Sequence, residues 1–315
     1  MSAAAEGGMG TAVEMAGEGR VFEYARLTGA ELAALDRQKT IFLWAVSPLE
    51  VHGPHLPVGT DVLVALELQR RCLRELSRRR PDLTFVLLPP LYAGADPLPV
   101  QGSVGVPAPV LEELLLAYAA GLAGQGFRYL LVTDNHGGPR HQMAIEAAAR
   151  RAWRRHRFYL LDPFGRFYRR MVLRDPALLQ ETGLGPGRCG DDADSHAGTN
   201  ETSLVLAFAP ELVSPGYREL PPALPPRPRG GARLLSRLAG WVRRLGCSSL
   251  AGDLEHLAAT LAWVGDPEMK PYLGAPALSS PQAGERMLEA HVRTAVELVE
   301  RALRQEPVRI RPLLW

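Results

Sequence analysis

The densest chemistry in the chain lies between positions 49 and 61. There Glu50, His52, His55 and Asp61 bring carboxylates and imidazoles into one short stretch. That donor combination suits zinc, manganese or iron. The stretch follows an apolar run, Ile41-Phe42-Leu43-Trp44-Ala45-Val46, which reads as a buried strand. Glu50 and His52 are separated by a single residue, so in an extended chain they leave on the same face. Gly53 and Pro54 then break the strand. Thr60 is expected to cap a helix over 61–76, which returns Asp61 to the strand's mouth. The same residues also have a plainer reading. An acid at a helix start complements the helix dipole, and a histidine beside Gly-Pro fills a turn.

A second group, Asp134-Asn135-His136-Gly137-Gly138-Pro139, sits between an apolar run at 129–132 and a helix expected over 139–154. Proline suits the first helical position. In open parallel sheets, ligands bind outside the carboxyl ends of strands, where His136 would stand. Gly137 and Gly138 would let the backbone pass close to a metal or substrate. A third group holds Asp191, Asp192, Asp194, His196 and Glu201 in a polar loop that leads into an apolar element from 202. Its aspartates read either as a cation site or as a solvated loop face. The remaining histidines, His141, His156, His256 and His291, read as ordinary surface or core residues.

These groups need elements to position them. A short helix at 27–32 with Thr28 as cap is followed by a strand at 41–47, the helix at 61–76 and a strand at 84–88. A Gly- and Pro-rich loop over 92–107, a helix at 111–124 and strands at 129–132 and 158–161 complete the alternation. Strands alternating with helices predict an α/β fold with a mostly parallel sheet flanked by helices. A proline-rich linker at 221–231, helices at 234–245 and 254–263, and an amphipathic helix at 284–304 are expected beyond it. Residues 1–20 are small, Gly-rich and acidic and read as a disordered tail, leaving 21–315 as one domain.

The chain has 315 residues and a formal net charge of +2, which gives no strong field for nucleic acid or a membrane surface. Arginines and aromatics do interleave over 150–170, but Phe158 and Tyr159 fall on an expected strand, so this is not read as a nucleic-acid surface. The longest apolar run, 114–124, is too short to span a bilayer. Cys72, Cys189 and Cys247 are odd in number and far apart, which disfavours a disulfide framework and points to the cytoplasm. The tail has neither the basic start nor the apolar centre of a signal peptide.

Together the three groups resemble the creatininase (creatinine amidohydrolase) family. Glu50-x-His52-Gly53-x-His55-Leu56-Pro57-x-Gly59-Thr60-Asp61 matches its first motif at every named position. His136-Gly137-Gly138 resembles the second motif, and His196-Ala197-Gly198-x-x-Glu201-Thr202-Ser203 the third. Leu273-Gly274-Ala275-Pro276 and Ala283-Gly284-Glu285 are similar to the loop before the family's last helix. The resemblance covers about 22–303, with an insertion within about 215–268. It implies a three-layer creatininase-like architecture and one or two divalent ions per subunit, held by Glu50, His52, Asp61 and His136, with Asp61 as the bridging carboxylate. It implies proton transfer by His196 and makes Glu201 a ligand or a supporting acid. Substrate would lie against Gly137, Gly138 and Asp192, with His55 and Asp134 supporting the ligands. It also implies a ring-shaped, hexamer-like homo-oligomer.

Departures limit what carries over. Creatininases proper have Tyr and Glu after the motif histidine, where this chain has Gly137 and Gly138. The family's Ser/Glu/His loop is not recognisable in Gly94-Ala95-Asp96-Pro97-Leu98. Creatinine is therefore not the expected substrate. The expected activity is hydrolysis of a cyclic or other non-peptide amide, or a formamide, by a metal-activated water. The alternatives are a peptidase that trims a modified precursor peptide, as in mycofactocin maturation, and a non-catalytic metal-binding or scaffold relative. No serine or cysteine stands in a nucleophile-elbow setting.

Overall fold

The computed structural model describes residues 20–173, 175–183, 194 and 196–308. The expectations for residues 1–19, Cys189, Asp191 and Asp192 lie outside these. β1 (Arg20–Glu23), α1 (Gly29–Ala34), β2 (Thr40–Ser47), α2 (Thr60–Arg79), β3 (Thr84–Leu87) and β4 (Leu91–Tyr92) come first. α3 (Ala108–Gly124), β5 (Tyr129–Thr133), α4 (Pro139–His156) and β6 (Tyr159–Leu161) continue the alternation. Helices then take over: α5 (Phe164–Val172), α6 (Pro176–Thr182), α7 (Thr199–Phe208), α8 (Gly230–Arg244), α9 (Ser248–Val264) and α10 (Pro281–Leu303).

The sheet runs β1-β3-β2-β5-β6 with every pair parallel, and β4 adds to the end of β2. β2 has β3 on one side and β5 on the other, so the strand order reverses there. That reversal opens a crevice at the carboxyl ends of β2 and β5. β2 is buried along its whole length, which is why its sequence is continuously apolar rather than alternating. Ile41 and Leu43 pack with Leu68 of α2, Val205 of α7 and Leu288 of α10. Phe42, Trp44 and Val46 pack with Leu115 of α3 and Ile145 of α4 on the opposite face. This is the expected α/β fold: helix layers on both faces of a parallel sheet. Phe42 is fully buried and meets Phe127 edge-on at 4.9 Å. Burial of such a side chain contributes roughly 1.5–3 kcal/mol.

Local chemistry sets the boundaries. Thr28 forms a capping box with Glu31 at the start of α1, as its sequence predicts. Thr60 is not the cap of α2. Gly59 holds that position, and the Thr60 hydroxyl donates to Pro57 O at 2.6 Å. α2 also runs past position 76, because Glu75 reaches both Arg78 and Arg79 across its last turn. β1, β4, α5 and α6 were not anticipated. The segment expected as an insertion folds largely as the α8–α9 hairpin, both helices being longer than their periodicity suggested. Among the described residues no helix is long and apolar enough to cross a membrane.

Candidate metal centre

β2 and β5 are parallel neighbours, so the segments that follow them emerge side by side. Glu50 and His52 come from the first and His136 from the second. Asp61 enters from the first turn of α2 and Glu201 from the first turn of α7. His136 Nδ1 lies 2.9 Å from Glu50 Oε2 and 3.3 Å from Asp61 Oδ2. On the other side, His52 Nε2 lies 3.4 Å from Asp61 Oδ1 and 3.5 Å from Glu201 Oε2. The Asp61 carboxylate thus turns one oxygen to each of two imidazole–carboxylate sets. His196 forms a further cluster with Glu50 and His52, its ring 4.4 Å from that of His52.

Backbone carbonyls orient the rings. His52 Nδ1 contacts Glu50 O at 2.9 Å, His136 Nε2 contacts Ala95 O at 2.9 Å, and His196 Nε2 contacts Val51 O at 2.8 Å. A carbonyl only accepts, so these nitrogens carry the proton, and in His52 and His136 the opposite ones face the carboxylates. The carboxylate–imidazole approaches are charge contacts rather than aligned hydrogen bonds. They leave buried Glu50 Oε2, His52 Nε2 and Asp61 Oδ2 without a hydrogen-bond partner. Buried polar atoms are ordinarily satisfied, and leftover oxygen and imidazole donors turned toward one another fit a divalent ion.

Burial pushes the His52 and His136 pKa values down. The charges of Asp61 and Glu50 respectively, the largest opposing influences, lift both well above the usual range. Burial pushes the Asp61 and Glu50 carboxyls up, and the charges of His52 and His136 respectively lead the effects that hold them below it. Without an ion, protons on the imidazoles balance the carboxylates. A divalent cation would replace that charge.

A layer of polar residues steadies the ligands. Asp134 Oδ1 accepts from Ser47 Oγ at 2.6 Å and from His136 N at 3.0 Å, and its Oδ2 accepts from Gln142 Nε2 at 2.7 Å. His141 Nε2 lies 3.2 Å from the same Oδ2. Asn135 Nδ2 donates to Asp61 Oδ1 at 3.2 Å and to Glu201 Oε1 at 3.0 Å, joining the two sets. Leu98 N donates to Glu50 Oε1 at 2.5 Å. His55 faces away from the cluster and pairs through Nε2 with Thr202 Oγ1 at 2.8 Å, beside Glu201. Burial, helped by the His52 charge, pushes His55 down to about 4.

Asp194 departs from the solvated loop face expected of it. It is buried, accepts from Thr199 N and Asn200 N at 2.8 and 3.0 Å, and burial pushes its carboxyl up to about 6. It secures the start of α7 and hence Glu201. Asp192 lies outside the described residues.

A cleft of about 430 Å³ opens in front of the cluster. Glu50, His136, His196 and Glu201 stand at one end, Gly137 and Gly138 form its floor, and α9 forms a wall. A Cβ at Gly137 would come within 2.8 Å of the Tyr168 ring. Tyr168 lines the cleft with its hydroxyl 3.1 Å from His256 Nε2. His256 therefore belongs to the cleft rather than to surface or core. His291 is a core residue stacked on Phe167, and His156 is exposed at the end of α4. Asn135 and Tyr168 were not singled out in the sequence, and His141, read as an ordinary surface or core histidine, is fully buried against Asp134. Asn135 had one available signal, its place beside His136 at a strand end. Tyr168 had none, because only the packing of α5 brings it to Gly137.

The family model described as creatinine amidohydrolase matches residues 25–299. The chain is 30% identical over 169 residues to a mycofactocin precursor peptide peptidase of Mycobacterium ulcerans (strain Agy99), a match covering 52% of this chain and 56% of that protein. It is 29% identical over 202 residues to the protein of the same description from Mycolicibacterium smegmatis (strain ATCC 700084 / mc(2)155), covering 61% and 70%. The chain thus spans little more than half the length of the first of these relatives. Among solved structures, one described as "Creatininase Mn" superposes with a TM-score of 0.59 at 19% identity, over 89% of this chain and 98% of that one. At that identity the likeness speaks for the fold.

Proposed function

The chain belongs to the creatininase family, and on that footing we propose that it hydrolyses a non-peptide or cyclic amide or a formamide at a divalent metal centre. One observation carries the reading. The Asp61 carboxylate divides its oxygens between two buried imidazole–carboxylate sets, and atoms of both lack hydrogen-bond partners. Glu50, His52, Asp61 and His136 would hold one or two ions of manganese, zinc or iron, with Glu201 a further ligand or an acid at their edge. Such an ion would supply Lewis-acid polarisation of the carbonyl and a lowered pKa for attacking water.

The chain's own residues do the rest. Water adds to the carbonyl carbon, the carbon–nitrogen bond breaks, and a proton must reach the departing nitrogen. His196 is the proposed carrier. Its Nε2 is fixed on Val51 O, so the ring is held at one orientation beside His52. Gly137 and Gly138 let the amide approach the cluster along the backbone. Asp192 is proposed as a substrate contact. A ring-shaped homo-oligomer and a cytoplasmic location are carried over as proposals.

A second reading has specific support. The curated relatives are named as peptidases of a precursor peptide, so the scissile amide here would belong to a modified peptide. The test begins with metal content per chain for the purified protein and for His136→Ala. Near-stoichiometric metal that falls in the variant supports the centre. Formamides, cyclic amides and short peptides are then offered to the loaded protein. Absence of metal, with none taken up on addition, refutes the hydrolase reading. Bound metal with no amide cleaved leaves the scaffold reading in its place.

A further inference from the structure

The wall of the cleft opposite the candidate ligands is apolar, and α9 builds it. Leu257, Leu261 and Val264 fall at i, i+4 and i+7 on that helix and line one face of the cleft. Leu98 and Trp263 continue the surface. Trp263 is fixed by its indole N–H, which donates to Lys270 O at 3.0 Å, and its ring lies 5.4 Å from that of His196. The same apolar surface therefore runs up to the proposed proton carrier. Leu261 is 49% exposed and Val264 38% exposed, and what both face is the cleft. A cleft of about 430 Å³ with an apolar wall, and with polar side chains such as Asp96, Arg140 and Thr260 lining it beside the candidate ligands, has the usual form of a site for a small molecule or a side chain.

We infer that this wall is a specificity subsite. It receives a bulky apolar group, aliphatic or aromatic, carried next to the scissile amide. The inference rests on the metal-hydrolase reading and deepens it, because it excludes small polar amides as the preferred substrates. The chemistry has two sources, a hydrophobic residue of a peptide or an alkyl or aryl amide, and the test separates them.

The probes are acetohydroxamate, butyrohydroxamate, hexanohydroxamate and octanohydroxamate, titrated calorimetrically into manganese-loaded protein. All four share a metal-binding head and differ only in chain length. Affinity should rise about fourfold per added methylene until the cleft is filled. Leu261→Asp should flatten that rise to less than about twofold per methylene. Leu238→Asp, on the exposed face of α8 away from the cleft, should leave it unchanged and serves as the folding control. N-acetyl-leucine hydroxamate identifies the source. Binding much tighter than an alkyl hydroxamate of equal apolar size indicates a peptide, and equal binding indicates a simple amide.

A flat series, or a rise that survives Leu261→Asp, overturns the inference. If acetohydroxamate itself fails to bind, the failure lies with the metal reading. The wall is then tested alone by adding octanamide to metal-free protein and following tryptophan emission. A change that Leu261→Asp abolishes supports the subsite, and no change in the parent protein overturns it.

Discussion

Replacing Gly138 with alanine should weaken metal binding without replacing any ligand. The backbone there, at φ −55 and ψ 124, suits any residue that precedes proline. Conformational freedom is therefore not why glycine occupies the position. A methyl group at that point would lie 2.4 Å from His136 Nε2, 3.0 Å from Ala95 O and 3.0 Å from Asp96 Cβ. Ordinary contact begins at 3.4 Å, so the imidazole would have to retreat by about 1 Å. It has nowhere to go, because Nε2 is bound to Ala95 O at 2.9 Å and Nδ1 faces Glu50 Oε2 at 2.9 Å. Losing that hydrogen bond and overpacking the site should cost about 1–3 kcal/mol of stability. Metal affinity should fall by about 10- to 100-fold, as when a ligand's orienting partner is removed.

Calorimetric titration with manganese, run beside thermal melts, measures both effects. Gly121→Ala is the matched control. It lies in α3 with nothing within 4 Å of the added methyl, and should stabilise the fold by about 0.5–1 kcal/mol. A folded Gly138→Ala that binds manganese as the parent does would refute the argument.

The other expectations are brief. His196→Ala should retain its metal while hydrolysis falls by about 10²–10⁴-fold, and loss of metal together with activity would reassign the residue. Thr202→Val removes the partner of buried His55 and should lower stability by about 1–3 kcal/mol in chemical denaturation. An unchanged midpoint would show that the pair contributes nothing. Asp162 is buried, and burial first, then the Asp134 charge, push its carboxyl up to about 7. A carboxyl raised in the folded state holds a proton that the unfolded chain has already lost. Its contribution to stability therefore falls as pH rises from about 4 to about 7. Asp162→Asn keeps an oxygen for Phe164 N, and should gain up to roughly 4 kcal/mol over the parent at pH 8 and little at pH 4. A constant difference across that range would count against the assignment.

Much of the centre was legible because its residues are packed into short motifs at strand ends. Glu50 and His52 needed only the alternation of an extended chain, and His136 only its place after an apolar run. The β2, β3, β5 and β6 strands announced themselves through continuous apolarity, since both faces of the sheet are covered. β1 did not, because its four residues carry no such run and it finds its partner in β3 rather than in the next strand. Thr60 misled for a local reason, its hydroxyl being drawn back to Pro57. Asp194 looked like one of several solvent-facing acids, but it is buried and accepts from the backbone at the start of α7, which no local pattern announces. His256, Tyr168 and the α9 wall reach the cleft only through packing between segments far apart in the chain, and periodicity says nothing about that.

The order in which the sheet and the site can assemble follows from the order in which the chain is synthesised. β2 lies between β3 and β5, and β5 leaves the ribosome only after α2, β3 and α3 have been made. Glu50, His52 and Asp61 are thus exposed for some time before His136 exists to face them, and Glu201 arrives later still. Non-local parallel pairing of this kind is slow to form. Full coordination of an ion by the candidate ligands is then a late event in biogenesis, closing a nearly finished domain rather than nucleating it.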